Sequence, residues 1–307
     1  MRKKIKVQIN TNYFCNYNCE YCYLGNLRKD TKVIDIQKIK ENLDEIAAEY
    51  EIDTIGIYGG EVTLLPKQQV RKIVEISKEY ARHVFLVTNF SNPDYIKEFS
   101  DIGLSTSLNK ERDNYELTKY RLLINDNYNL GLNIVVTPSV LASDIESLIN
   151  ELDQYGLDTE FLRYSPSEIG DVNYDISNKD YADFIREVIV EYKKRPRNFW
   201  LCNITSIEEC LNGTHSPCMD SFVFISPYNN LQSIKFCDGK EHFIEFEDID
   251  DYRQQCVDEF EAYKKHCGGC KYFGHCYAEH LKLSKKNDEC CGLKSLLEWY
   301  ENLYKNN

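Results

Sequence analysis

No apolar run in the 307-residue chain approaches the ~18 residues that a membrane-spanning helix requires, so no membrane partner is expected. The amino terminus opens on Met1-Arg2-Lys3-Lys4. No apolar block succeeds it; the alternation Ile5, Val7, Ile9 reads as a strand and not as a signal peptide. Basic residues are in short supply: 37 Lys and Arg stand against 50 Asp and Glu, a net charge of −13. That argues against nucleic acid, because phosphate binding needs clustered cations. Internal repeats and low-complexity segments are missing too. What is left is a globular chain, 42% hydrophobic, slightly longer than the ~250–300 residues at which one core stops growing. One large domain with a small appendage is expected. Cysteine is the residue in excess. Thirteen of them without a secretion signal point to the reducing cytoplasm, where thiols bind metals rather than pair as disulfides.

From Ile5 to Tyr192 strand and helix patterns alternate. Strands are expected at Ile5–Asn10, Thr54–Tyr58, Val84–Thr88, Leu104–Leu108, Leu132–Thr137 and Thr159–Tyr164, with helical spacing between them, as in Ile36, Ile39, Leu43 and Ile46. Six such units imply a parallel sheet and the fold class α/β, an incomplete (β/α)6 TIM-like barrel with a small cysteine-rich C-terminal domain. Sites in such folds gather at the C-terminal ends of the strands. The basic, proline-bearing break Lys193-Lys194-Arg195-Pro196-Arg197 sets the expected boundary, with domains 1–196 and 197–307. Beyond it come the ten other cysteines and a capping-box pattern, Thr205-x-x-Glu208, for a short helix ending near Gly213. A hairpin about Pro227–Asn230 is expected next, then a helical face of Tyr252, Cys256 and Phe260, and a C-terminal amphipathic helix through Tyr300.

The first strand runs into Cys15-Asn16-Tyr17-Asn18-Cys19-Glu20-Tyr21-Cys22, three thiols at C-x3-C-x2-C. Three thiolates on one tight loop can hold three irons of a [4Fe–4S] cluster and leave the fourth open. A zinc site would close with four protein ligands, and here the fourth is missing locally. Gly59-Gly60-Glu61 directly follows the second strand. Glycines there allow close backbone approach, and the carboxylate can pair with an ammonium.

Together these motifs resemble the radical S-adenosylmethionine (radical SAM) superfamily over about residues 4–195. The resemblance implies that Cys15, Cys19 and Cys22 hold the cluster, with the aromatic Tyr21 before the last of them. Gly59, Gly60 and Glu61 would meet the methionine amine, with Val62 where Pro is usual. Asn89, after Thr88, and Ser107 would lie along the cofactor, with Asn109 where Asp is more usual and Arg163 on the methionine carboxylate. Cys267-x2-Cys270-x5-Cys276, with Cys218 and Cys237 before it and Cys290-Cys291 after it, resembles the SPASM extension of peptide-modifying members. That implies one or two auxiliary [4Fe–4S] clusters. The first would use Cys210 or Cys202, Cys218, Cys237 and His280, which stands where the family has Cys; the second would use Cys267, Cys270, Cys276 and Cys290 or Cys291. A zinc ribbon is the structural alternative, and Cys256 reads as a core residue. Asp238, beside Cys237, matches a catalytic base of sulfatase-maturing relatives.

The expectation is therefore a radical SAM enzyme that uses S-adenosylmethionine to modify, by oxidative crosslinking, a ribosomally made precursor peptide. The alternatives are a sulfatase-maturing-type oxidase, a peptide epimerase with Cys202 as hydrogen donor, a small-molecule dehydrogenase, or a non-enzymatic iron–sulfur or zinc scaffold. Flavodoxin or ferredoxin is the expected electron donor. Because the first strand starts within ten residues of Met1, leader-peptide recognition is expected to fall to a separate partner protein or to the C-terminal domain.

Overall fold

In the computed structural model, residues 2–124, 129–170, 173–214, 222–237, 240–276, 290 and 293–305 are described. Nine strands form one sheet among them. In chain order the elements are β1 (Lys4–Asn10), α1 (Ile36–Glu49), β2 (Glu51–Tyr58), α2 (Lys67–Tyr80), β3 (His83–Val87), α3 (Pro93–Ile96) and β4 (Gly103–Ser107). Next come α4 (Tyr115–Leu123), β5 (Leu130–Val136), α5 (Pro138–Leu141), α6 (Ile145–Tyr155), β6 (Thr159–Arg163), α7 (Asn178–Tyr192) and α8 (Cys202–Asn212). The chain closes with β7 (Phe222–Ile225), β8 (Leu231–Cys237), β9 (Lys240–Phe246), α9 (Ile249–Cys267) and α10 (Lys294–Tyr300).

The strand order is β6-β5-β4-β3-β2-β1-β7-β8-β9. Strands β1 to β7 run parallel, and β8 and β9 add antiparallel. The expected partial barrel is thus present. Its two faces differ in chemistry. Val7, Ile9, Ile55, Ile57, Leu86, Leu104, Leu132 and Ile134 are buried in the main core. Alternation puts Gln8, Ser105, Ser107, Asn133 and Glu160 on the opposite face, and Ser107, Asn133 and Glu160 stand in register across β4, β5 and β6. A sheet packed by helices on both sides would be apolar on both; this one keeps a polar inner face.

The helices start where their sequences can satisfy free amide groups. Asp35 accepts from Gln37 N at 2.8 Å, Asp144 caps α6, Ser177 caps α7 and Asp248 caps α9. The capping box expected at Thr205 is corrected. Helix α8 already begins at Cys202, so Thr205 lies inside it, its hydroxyl accepting from Trp200 Nε1 at 2.8 Å; Gly213, in the left-handed region at φ 68°, ends the helix as expected.

Contacts run across position 196. Leu201 bridges Thr159, and Asn203 takes the Phe161 amide at 2.9 Å. From α10, Tyr300 donates to Glu208 at 2.7 Å and receives Lys193 Nζ at 3.2 Å. Strand β7 lies directly beside β1.

Candidate functional site

The cysteine loop leaves β1 at the C-terminal edge of the sheet and is tied down by the loops after three other strands. After β2, Gly60 N donates to Asn12 O at 2.8 Å and Glu61 N to Phe14 O at 2.9 Å. A Cβ on Gly60 would sit 2.1 Å from Tyr13 O and 2.2 Å from Phe14 O, so the glycine is what lets the two backbones touch. After β4, Asp113 accepts from Asn18 N at 2.5 Å, and Glu111 O from Glu20 N at 3.2 Å. After β6, Ser167 donates to Tyr23 O at 2.7 Å.

Cys15, Cys19 and Cys22 are each half-buried and line one cavity of about 490 Å³, with Asn16, Tyr17 and Arg28 among its other walls. Burial pushes all three thiols above their ordinary pKa. Two donors address Cys15 Sγ, Tyr17 N at 3.4 Å and Asn89 Nδ2 at 3.6 Å. No disulfide joins the ten described cysteines. This donor set suits an iron–sulfur cluster: the thiols are gathered and desolvated, and at least one is already hydrogen-bonded. Among the described residues no three His, Cys, Asp or Glu side chains converge on a position for a single metal ion. A cluster does not require that, because each thiolate takes a different iron.

The other expected residues divide. Tyr21, half-buried and pushed up by burial to about 12, places its hydroxyl 3.4 Å from Ser107 Oγ. Ser107 belongs to the polar inner face. Asn89 also donates to Asn16 Oδ1 at 2.7 Å, so it braces the cysteine loop. Glu61 is 1% exposed and fully engaged. Its Oε1 accepts from Thr63 N (2.9 Å), Thr63 Oγ1 (2.6 Å) and Thr88 Oγ1 (2.8 Å), and its Oε2 from Asn89 N (2.5 Å). Asn109 is taken up by the β5 backbone, giving to Val135 O at 2.6 Å and receiving Val135 N at 3.1 Å.

Arg163 is not brought to the site. It pairs in register with Val136, on the helix-covered face, and binds Asp175 Oδ1 at 2.8 Å. One step of strand parity separates it from the inner face, where Leu162 stands instead. Sequence reasoning missed Arg112. It is 4% exposed, donates to Ser107 Oγ at 3.1 Å and to Asn89 O, and lies 5.5 Å from the Tyr17 ring centre. In the sequence it sits in the run Lys110-Glu111-Arg112-Asp113, which looks like a solvated charge run; its place just past Ser107 was the usable signal.

Among the C-terminal ligand candidates, Cys267, Cys270, Cys276 and Cys290 are half-buried, and Cys270 N turns back to Cys267 O at 2.8 Å. Cys210 is 3% exposed and packed into the main core; Cys256 is buried there too, as expected. Cys202 lies near the start of β6, beside Asp158 and Glu160, at the sheet edge opposite the cysteine loop. Burial and those carboxylates push its thiol up to about 12. Cys218, Asp238, His280 and Cys291 lie outside the described residues, as does the side chain of Cys237.

Residues 9–110 match the model of the radical SAM superfamily. YydG of Bacillus subtilis (strain 168), by name a peptide biosynthesis protein, is 30% identical over 83 residues, which are 27% of this chain and 26% of that one. The aligned stretch thus spans about a quarter of that relative. Among solved structures, native anSMEcpe with bound AdoMet superposes over 98% of this chain and 97% of its own at TM-score 0.64 and 16% identity. Streptococcus suis SuiB bound to S-adenosylmethionine does so over 94% and 77% at TM-score 0.60 and 14% identity. At these identities the likeness is one of fold.

Proposed function

We propose that the chain is a radical SAM peptide maturase. In this reading Cys15, Cys19 and Cys22 would hold a [4Fe–4S] cluster that takes S-adenosylmethionine, and a ribosomally made peptide would be oxidised to a crosslinked product two hydrogens lighter, one lost as a hydrogen atom to the 5′-deoxyadenosyl radical and the other as a proton to solvent with its electron passing to an auxiliary cluster. The observation that carries the reading is the gathering of three desolvated thiols on one cavity, against the Gly59-Gly60-Glu61 strand end and beside a polar inner sheet face. SuiB, which shares the fold, has also been solved with its precursor peptide SuiA, which supports a peptide as the substrate class.

When bound, the cluster and S-adenosylmethionine supply a 5′-deoxyadenosyl radical able to remove an unactivated hydrogen. The protein's own part is positioning and electrostatics. Tyr17 N and Asn89 Nδ2 donate to Cys15 and withdraw charge from its thiolate. Glu61 locks the ends of β2 and β3 together and so fixes Asn89. Ser107 and Tyr21 hydroxyls offer donors on the inner face, and Tyr21 stays neutral at working pH because burial disfavours its phenolate. The helix-covered apolar face keeps water from the other side of the sheet.

The same cysteine count bears on a second reading, return of a hydrogen to the peptide with inversion of an α-carbon. Of the ten C-terminal cysteines, Cys202, Cys210 and Cys256 are set apart by place or burial, leaving seven. Two auxiliary clusters of four ligands would consume all seven and His280. A single auxiliary cluster would leave thiols, such as Cys218 and Cys237, to give a hydrogen atom. Cys202, at the wrong sheet edge, is not that donor.

Anaerobically reconstituted, dithionite-reduced protein is expected to form 5′-deoxyadenosine, and C15A/C19A/C22A to form none while keeping other iron. Product from the triple variant would overturn the assignment. On the cognate peptide in D2O, loss of two hydrogens with about twelve irons per chain supports oxidation. One solvent deuterium at a Cα with about eight irons selects the second reading.

A further inference from the structure

Arg112 is a buried cation without a carboxylate. The other arginines deep in the fold each have one: Arg163 has Asp175 at 2.8 Å, and Arg197 has Glu191 at 3.3 Å and Asp153 at 3.9 Å. No such ion pair forms at Arg112 among the described residues. Both carboxylates flanking it in sequence look elsewhere, Asp113 to the Asn18 amide and Glu111 to Thr137 and Ser139 at 2.8 and 2.6 Å. Glu61 is spent on Thr63, Thr88 and Asn89. The guanidinium is instead held by neutral groups, Ser107 Oγ, the Asn89 carbonyl and the Tyr17 ring, and its buried Nε has no partner among the described residues. Every element of this cage also shapes the cysteine site. Asn89 reaches Cys15, Tyr17 lines the cavity, and Ser107 meets Tyr21. A buried charge left unpaired is costly, and the cost is met when an opposite charge arrives.

We infer that Arg112 is the counter-cation of the cysteine site, a positioning residue whose charge favours an anionic, thiolate-bound cluster there and raises its reduction potential. This rests on the iron–sulfur reading above. Uptake of one electron makes the cluster more negative by one charge, so a nearby fixed cation stabilises the reduced state more than the oxidised one. The rigid cage matters because it keeps the cation close without neutralising it.

The test is a potential and not a turnover number. Reconstituted wild type, R112Q and R112K would be titrated anaerobically, following the electron paramagnetic resonance signal that C15A/C19A/C22A lacks. R112Q is expected to assemble its cluster and to reduce about tenfold less favourably, a shift of ~59 mV toward negative potential for one electron. R112K, which keeps the charge but loses the planar fork, is expected to stay within about threefold of wild type. If R112Q fails to assemble a cluster, assembly in R112K still supports a charge role, and failure in both overturns it in favour of bracing by the fork. An unshifted R112Q, or an R112K displaced as far as R112Q, also overturns the inference alone. A wild type with no signal dependent on the three cysteines overturns the iron–sulfur reading with it.

Discussion

Gly60→Ala probes how far the site depends on two backbones in contact. The added Cβ would lie 2.1 Å from Tyr13 O, 2.2 Å from Phe14 O and 2.5 Å from Phe14 C. All three are backbone atoms and cannot rotate away. Ordinary contact begins near 3.4 Å, so the cysteine loop must retreat by more than an ångström. That stretches the Gly60–Asn12 and Glu61–Phe14 hydrogen bonds beyond use. Two such bonds are worth ~1 kcal/mol each, and forced overpacking adds ~1–3 kcal/mol. The loss is then roughly 3–5 kcal/mol, a drop in Tm on the order of 5–10 °C for a chain of this size. An ångström of misplacement also costs on the order of 10²-fold in rate, here in 5′-deoxyadenosine formation. Gly59→Ala is the control. Its closest contact, at 2.5 Å, is with the Asn12 side-chain oxygen, which can give way, so the loss should be about 1–2 kcal/mol. Differential scanning fluorimetry and the adenosine assay read both. A Gly60→Ala protein within about 2 °C of wild type and equally active, or a Gly59→Ala protein equally damaged, would refute the reasoning.

Two more outcomes are expected from the same geometry. Arg163→Met alone should destabilise by ~3–5 kcal/mol by leaving the Asp175 carboxylate unpaired, and R163M/D175L should recover most of that with S-adenosylmethionine affinity unchanged; a tenfold weaker affinity in the stable double variant would return Arg163 to the cofactor. In metal-free protein the three loop thiols have pKa values raised by burial above 9.0, so their contribution to stability is whole below that value and is lost as pH rises through the raised pKa. Chemical unfolding at pH 7 and pH 10 should therefore show a steeper loss for wild-type apoprotein than for the triple Cys→Ala variant; parallel losses would contradict it.

Most of the barrel was legible because its strands alternate cleanly. Leu130, Leu132, Ile134 and Val136 bury one face of β5 while Asn133 and Val135 keep the other, so a period of two reads directly as a sheet face. Arg163 shows where such a reading stops. Its place near a strand end suggests a ligand, but strand parity, which the register settles, turns it to the helices. The boundary at 196 rests on a basic, proline-bearing run. In the fold that run is held by side chains from both sides, with Arg195 and Arg197 on Asp153 and Lys193 against Tyr300. Composition marks a change of element, whereas contacts decide whether the core is interrupted.

Glu61 shows how a motif residue is also put to work by the fold itself. The sequence offers a carboxylate after two glycines at a strand end, and an incoming ammonium is one partner for it. In the fold four donors already surround that carboxylate, two from Thr63 in the loop after β2 and two from Thr88 and Asn89 just past β3. A group held by that many hydrogen bonds would lose a bond of ~1.5–3 kcal/mol by turning away. The carboxylate thus also clamps the two strand ends and holds Asn89 in position beside Cys15. The polar groups that the fold leaves least neutralised are the thiols and the charge of Arg112, with the Ser107 and Tyr21 hydroxyls already joined to each other and to Arg112. Only the first of these announce themselves by spacing. The others depend on which donors and acceptors the neighbouring loops have already used, and that can be counted only once the loops are in place.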